Sequence, residues 1–142
     1  MRYLLAFVAA FLATLIFHQG LLAILHSTGV SPRAAYSTAP TGPLNVPQWV
    51  SLAFWGGVWG IPLLLAVGRL NGASYWVASI VFGALLPSLV AFFVVMPLKG
   101  MPVAGGWKPA LLVGALLLNG AWGLGTAIFL RLFGRLFPAS SL

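Results

Sequence analysis

The chain contains no aspartate, no glutamate and no cysteine. Without a carboxylate side chain it cannot build the paired acids of glycoside hydrolysis, a Ser-His-Asp triad or a carboxylate site for Ca²⁺ or Mg²⁺. An antiporter that moves protons through a membrane-embedded acid is excluded on the same ground. Without a thiol it forms no disulfide, thiolate metal site or cysteine nucleophile, and the sequence gives no sign of redox compartment. Charge of either sign is scarce: seven Lys/Arg and 5% charged residues cannot clothe a water-soluble surface.

What is present is apolar. The 142 residues are 61% hydrophobic, with a mean hydropathy of +1.07, so the expected solvent for most of the surface is lipid. A formal charge of +7 suggests nucleic acid only if the basic residues cluster. They stand singly between apolar runs, at Arg2, Arg33, Arg69, Lys99, Lys108, Arg131 and Arg135. That spacing reads as anchoring to membrane lipid, with no nucleic acid partner, and Arg2, Arg69, Arg131 and Arg135 are the expected headgroup anchors.

A hydrocarbon core takes about 20 apolar residues per helix. Four segments qualify, Tyr3 to His26, Gln48 to Leu70, Ala73 to Pro97 and Pro109 to Phe133. The predicted fold is therefore an all-α integral membrane bundle of four transmembrane helices in a single domain, 1–142, with short connections and one longer Pro-rich first loop over 27–47. The opening MRYLLAFVAAFLATLIF has the charge and apolar run of a signal peptide, yet apolar character continues through Leu25, which predicts a retained first helix. Tyr3, Trp49, Tyr75 with Trp76, and Trp107 mark the four starts with rings that favour the membrane interface. Asn71-Gly72 marks a tight turn that should make the second and third helices antiparallel neighbours.

The first loop carries Pro32, Pro40, Pro43 and Pro47, which forbid a regular helix and predict a restrained, extended connector. With the N-terminus inside, Arg2, Arg69, Arg131 and Arg135 fall on the inner side and Arg33, Lys99 and Lys108 on the outer. This weakly favours N-in, C-in in a bacterial-type inner (plasma) membrane.

Few polar groups lie within the spans: Thr14, His18, Gln19, Ser51, Ser74, Ser79, Ser88, Asn119 and Thr126, with His26 at a helix end. An ionisable residue at membrane depth is a functional candidate, so His18, Gln19 and Asn119 form the candidate polar or ligand site. The plainer reading is a neutral imidazole bonded across to another helix, with Asn119 as the expected partner. His26 lies too far along the same helix to share a metal ion with His18, so haem ligation by His18 needs a histidine from a second copy or a partner. His26 itself reads as a cap on the first helix.

Gly56 and Gly60 form a GxxxG pair and Ala121 and Gly125 a small-xxx-small pair, which predicts close helix packing. An outward-facing Gly56/Gly60 surface would be a docking face. Trp55, Trp59 and Trp122 offer a sharper alternative, the lining of a site for a flat apolar ligand such as a quinone or pigment. The shared Gly-x-Trp-Gly at Gly57–Gly60 and Gly120–Gly123 hints at a duplicated helix pair. Pro62 and Pro87 would each free a carbonyl inside a helix. Phe129 to Leu136 reads as the last helix turning out along the interface.

These features predict a non-enzymatic membrane protein with no cofactor, an accessory or structural subunit of a larger membrane complex or a homo-oligomer, whose partners are lipid and other integral membrane subunits or itself. A small channel or transporter for an anion or neutral solute, and a haem-, quinone- or pigment-associated subunit, stand as alternatives.

Overall fold

The computed structural model describes residues 1–138. Four helices are long and apolar enough to cross a membrane: α1 (Arg2–Ser27), α2 (Gln48–Val67), α3 (Gly72–Leu98) and α4 (Pro109–Leu136). The shortest has 20 residues and the longest 28, which at about 1.5 Å per residue is roughly 30 to 42 Å. α2 stops at Val67 instead of Leu70, because Gly68 and the Asn71-Gly72 pair end it; Gly72 supplies the left-handed φ of 58° that turns the chain into α3. α4 runs unbroken to Leu136, past the predicted end at Phe133. The Arg131 and Arg135 stretch is thus a continuation of α4 and not a separate interfacial segment; Pro138, which disfavours helix at Phe137, stops it.

No helix forms between α1 and α2. Instead β1 (Pro40–Thr41) and β2 (Val46–Pro47) pair antiparallel in a short hairpin, turned by left-handed Gly42 and Asn45. The connection between α3 and α4 contains a tight turn over Val103–Trp107 with four successive left-handed residues, two of them glycine.

The helices pair unequally. α3 packs most extensively on α4, and α1 packs on α2 and on α4 to a similar extent, so the α1–α2 and α3–α4 pairs are joined through α1 and α4. α2 and α3 touch sparsely despite their short connection, so that turn does not make them principal neighbours. The reason lies in where small residues fall. Ala6, Ala9, Ala10 and Ala13 form an i, i+3, i+4, i+7 stripe on α1 with 0% exposure, and the glycines of α2 sit on it. A methyl group on Gly60 would collide with Ala6 and Ala10, one on Gly57 with the Phe7 ring, and one on Gly56 with Thr14. Between α3 and α4, a methyl on Gly83 would lie 2.6 Å from the Asn119 carbonyl oxygen, and one on Gly123 would strike the Ser79 carbonyl. Such approaches let backbones meet and gain dispersion contact, which holds helices together where water supplies no driving force.

The two pairs do not repeat one another. Gly60 meets Ala6 and Ala10, whereas Gly123, at the matching place in the shared Gly-x-Trp-Gly text, meets Ser79 and Gly83. The registers differ, and the packing gives the suggested duplication no support.

Candidate functional site

The polar groups do not gather at one place. The first cluster is on α1, where Thr14–His18 forms one π-helical turn. A π turn brings residues five apart onto one face, and Thr14 and Gln19 are accordingly both buried, at 3% and 1% exposure, while His18 is rotated partly outward. Gln19 Nε2 and His18 Nδ1 lie 3.1 Å apart in a side-chain hydrogen bond. Gln19 Oε1 accepts the Tyr36 backbone N–H at 2.8 Å, and the Tyr36 hydroxyl donates to the Leu15 carbonyl at 2.7 Å. The Pro-rich loop is therefore clasped to α1 at two points through Tyr36, whose φ of 55° is left-handed. At the end of α1, His26 Nδ1 bonds the Ser31 carbonyl at 3.0 Å and so ties down the chain leaving the helix.

Asn119 is elsewhere. Its Nδ2 donates to Ser88 Oγ at 2.8 Å, joining α4 to α3. The expected His18–Asn119 pair is thus not made: each finds a different partner, and the three residues proposed as one polar site form two separate contacts.

The tryptophans also diverge. Trp122 is 3% exposed and its Nε1 donates to the Ala10 carbonyl at 3.1 Å, the same oxygen that accepts Thr14 Oγ1 at 3.0 Å. Trp59 meets the edge of Phe82 on α3, at 6.2 Å between centroids. Trp55 is 58% exposed on the outside of α2, beside Phe54. The three rings do not enclose a common space for a flat ligand.

The small residues are placed as follows. Gly56 and Gly60 face α1, inside the molecule, so they present no outward docking face. Gly125 lies under the Phe17 ring of α1. Ala121 lines an apolar groove on the α3–α4 surface with Ile80, Ala84 and Leu117. Pro62 and Pro87 are accommodated within α2 and α3, and a second π turn, Ala91–Val95, follows Pro87.

At the opposite end from the loop, Arg131 lies over the Tyr75 ring, 4.1 Å from its centroid, and the Tyr75 hydroxyl donates to the Ala127 carbonyl at 2.8 Å. Arg2 is held by Tyr3, 4.8 Å from that ring's centroid. Arg69 and Arg135 are exposed.

Ser79 and Thr126 bond backbone carbonyls one turn back. Among the described residues, every buried side-chain nitrogen and oxygen has a hydrogen-bond partner. The contacts missed by sequence reasoning are Gln19–Tyr36, Tyr75–Arg131 and the alanine stripe of α1. Only the stripe carries a local signal, its i, i+3, i+4, i+7 spacing. Compared with models of known protein families, with curated proteins and with solved structures, the chain matches none.

Proposed function

We propose that this chain is an integral membrane protein of four spans, without catalytic activity, that serves as an accessory or structural subunit of a larger membrane complex or of an oligomer of itself. The observation that carries the reading is the internal satisfaction of the polar groups. Thr14, Gln19, Tyr75, Ser79, Asn119, Trp122 and Thr126 each spend a polar atom on another part of the same chain. Tyr75, Asn119 and Trp122 tie one helix to another, and groups engaged in these ways are not poised to attack a substrate or shuttle a proton. Outward, the helices present large apolar side chains, including Leu52, Phe54, Ile80, Leu85, Leu117 and Leu132, which suit lipid or the helices of a neighbour.

A conducting path has less support. Its natural course lies between the two helix pairs, and there Trp122 contacts α1 and Phe17 covers Gly125. Such contacts weigh against a channel along this course.

The test is purification of the tagged protein in mild detergent, with mass spectrometry and a visible absorption spectrum on the same sample. The expected result is a colourless preparation with stoichiometric integral membrane subunits, or a discrete oligomer of the chain alone. A haem or pigment band would replace this reading with the cofactor-bearing one. A monomer without partners that lets anions through proteoliposomes would replace it with the channel.

A further inference from the structure

We propose that the cavity between the α2–α3 turn and the end of α4 binds the phosphate of one anionic phospholipid, with Arg131 as its ligand. The inference rests on the reading of the chain as a membrane protein and adds a specific lipid site to it. The cavity has a volume of about 210 Å³ and is lined by Leu64, Leu70, Asn71, Tyr75, Leu130 and Arg131, among others.

Three observations point to this occupant. First, the Arg131 guanidinium is oriented. It lies 4.1 Å from the centroid of the Tyr75 ring, and that ring is itself 4% exposed and pinned through its hydroxyl to Ala127. The aromatic face restrains the guanidinium, and the N–H groups that it does not spend on Tyr75 remain to meet the oxygens of a phosphate.

Second, the chain contains no aspartate or glutamate, so no side chain of its own can neutralise Arg131. Alternation of the four helices puts Arg2, Arg69 and Arg135 at the same end, and Arg69 falls between two residues of the cavity wall, Gly68 and Leu70. Like charges gathered without a counter-charge call for an anion from outside.

Third, Leu64, Leu70 and Leu130 line the same cavity. An apolar wall beside a cationic group suits the boundary between headgroup and acyl chain, and the cavity lies at the ends of the apolar helices, where headgroups are found. A free inorganic anion would gain nothing from that wall, so the lipid is the favoured source of the phosphate.

The test uses delipidated full-length protein in detergent, titrated with phosphatidylglycerol and followed by native mass spectrometry. One tightly held lipid is expected. Arg131→Gln should weaken its binding about ten-fold, and Arg131→Lys, which keeps the charge and loses the guanidinium, should fall between the two. Arg33→Gln, in the loop at the other end of the bundle, should leave it unchanged. Gel filtration of each variant establishes that it is folded, and Arg131→Lys serves as the readout if Arg131→Gln is not. The proposal is overturned if Arg33→Gln weakens binding as much as Arg131→Gln, because the attraction is then diffuse. It is likewise overturned if phosphatidylcholine binds as tightly, or if millimolar inorganic phosphate displaces the lipid and binds in its place. The assay needs no partner subunit, so a failed partner purification and a failed lipid titration are read separately.

Discussion

Gly123→Val should separate α3 from α4 and destabilise the protein by about 3 kcal/mol or more, the upper range for overpacking a close-packed site. A Cβ at this position collides with the Ser79 carbonyl and comes within 3.2 Å of the Gly83 Cα. Both obstacles are backbone, and backbone cannot rotate aside as a side chain can. The helices must move apart, which loses the Gly83 approach and lengthens the Asn119–Ser88 bond. Gly114→Ala is the matched control, since nothing lies within 4 Å of its added Cβ. It should be neutral or stabilise by about 0.5–1 kcal/mol, the propensity gain of alanine over glycine inside a helix. Denaturant titration in detergent, followed by tryptophan fluorescence, reads both. Equal midpoints for the two variants would show that the α3–α4 contact is looser than described.

Gln19→Leu should release the Pro-rich loop. Leucine nearly matches the volume, so the effect isolates the lost hydrogen bonds from any cavity. The Tyr36 N–H then loses its acceptor at 2.8 Å and the His18 Nδ1 its neighbour at 3.1 Å. Losing a partly buried bond of this kind costs about 2 kcal/mol, which raises the open population of the loop about thirty-fold. Arg33 is exposed within that loop and offers a tryptic site. Limited proteolysis should therefore cut the variant at Arg33 much faster than the parent, with Tyr36→Phe showing a smaller increase through loss of the Leu15 contact. Unchanged cleavage would mean that the clasp does not hold the loop.

The four long helices were legible in the sequence because hydropathy and length act locally, and each boundary falls close to a residue with its own signal, such as Asn71-Gly72 or Pro109. Partner choice was not. Gly56 and Gly60 announce close packing, but their spacing cannot say whether the facing helix is in the same chain. It is α1, whose alanine stripe completes the contact. An α-helix throughout would put Thr14 and His18, four residues apart, on one face. The π turn inserts one residue, shifts the phase by about 100°, and puts Gln19 in place of His18 on the buried side. Tyr75 with Arg131, and Gln19 with Tyr36, are pairs of isolated polar residues far apart in sequence, and no periodicity links them. His18 and Asn119 were paired on scarcity alone, whereas each has a nearer bonding group, Gln19 and Ser88.

With Gly56 and Gly60 used inside the molecule, the subunit reading draws on the outer apolar faces and on the engaged polar groups. Both acquire their meaning only if the helices cross a bilayer. That premise has a direct measurement, because the chain has no cysteine and single cysteines can be introduced without background. Thr38→Cys and Met101→Cys probe one end of the bundle, Asn71→Cys and Leu136→Cys the other. With an impermeant maleimide on sealed membranes, one pair should label before permeabilisation and the other only after it, and the protein should resist alkaline extraction. Labelling of all four positions alike, or release from the membrane at alkaline pH, would contradict the account.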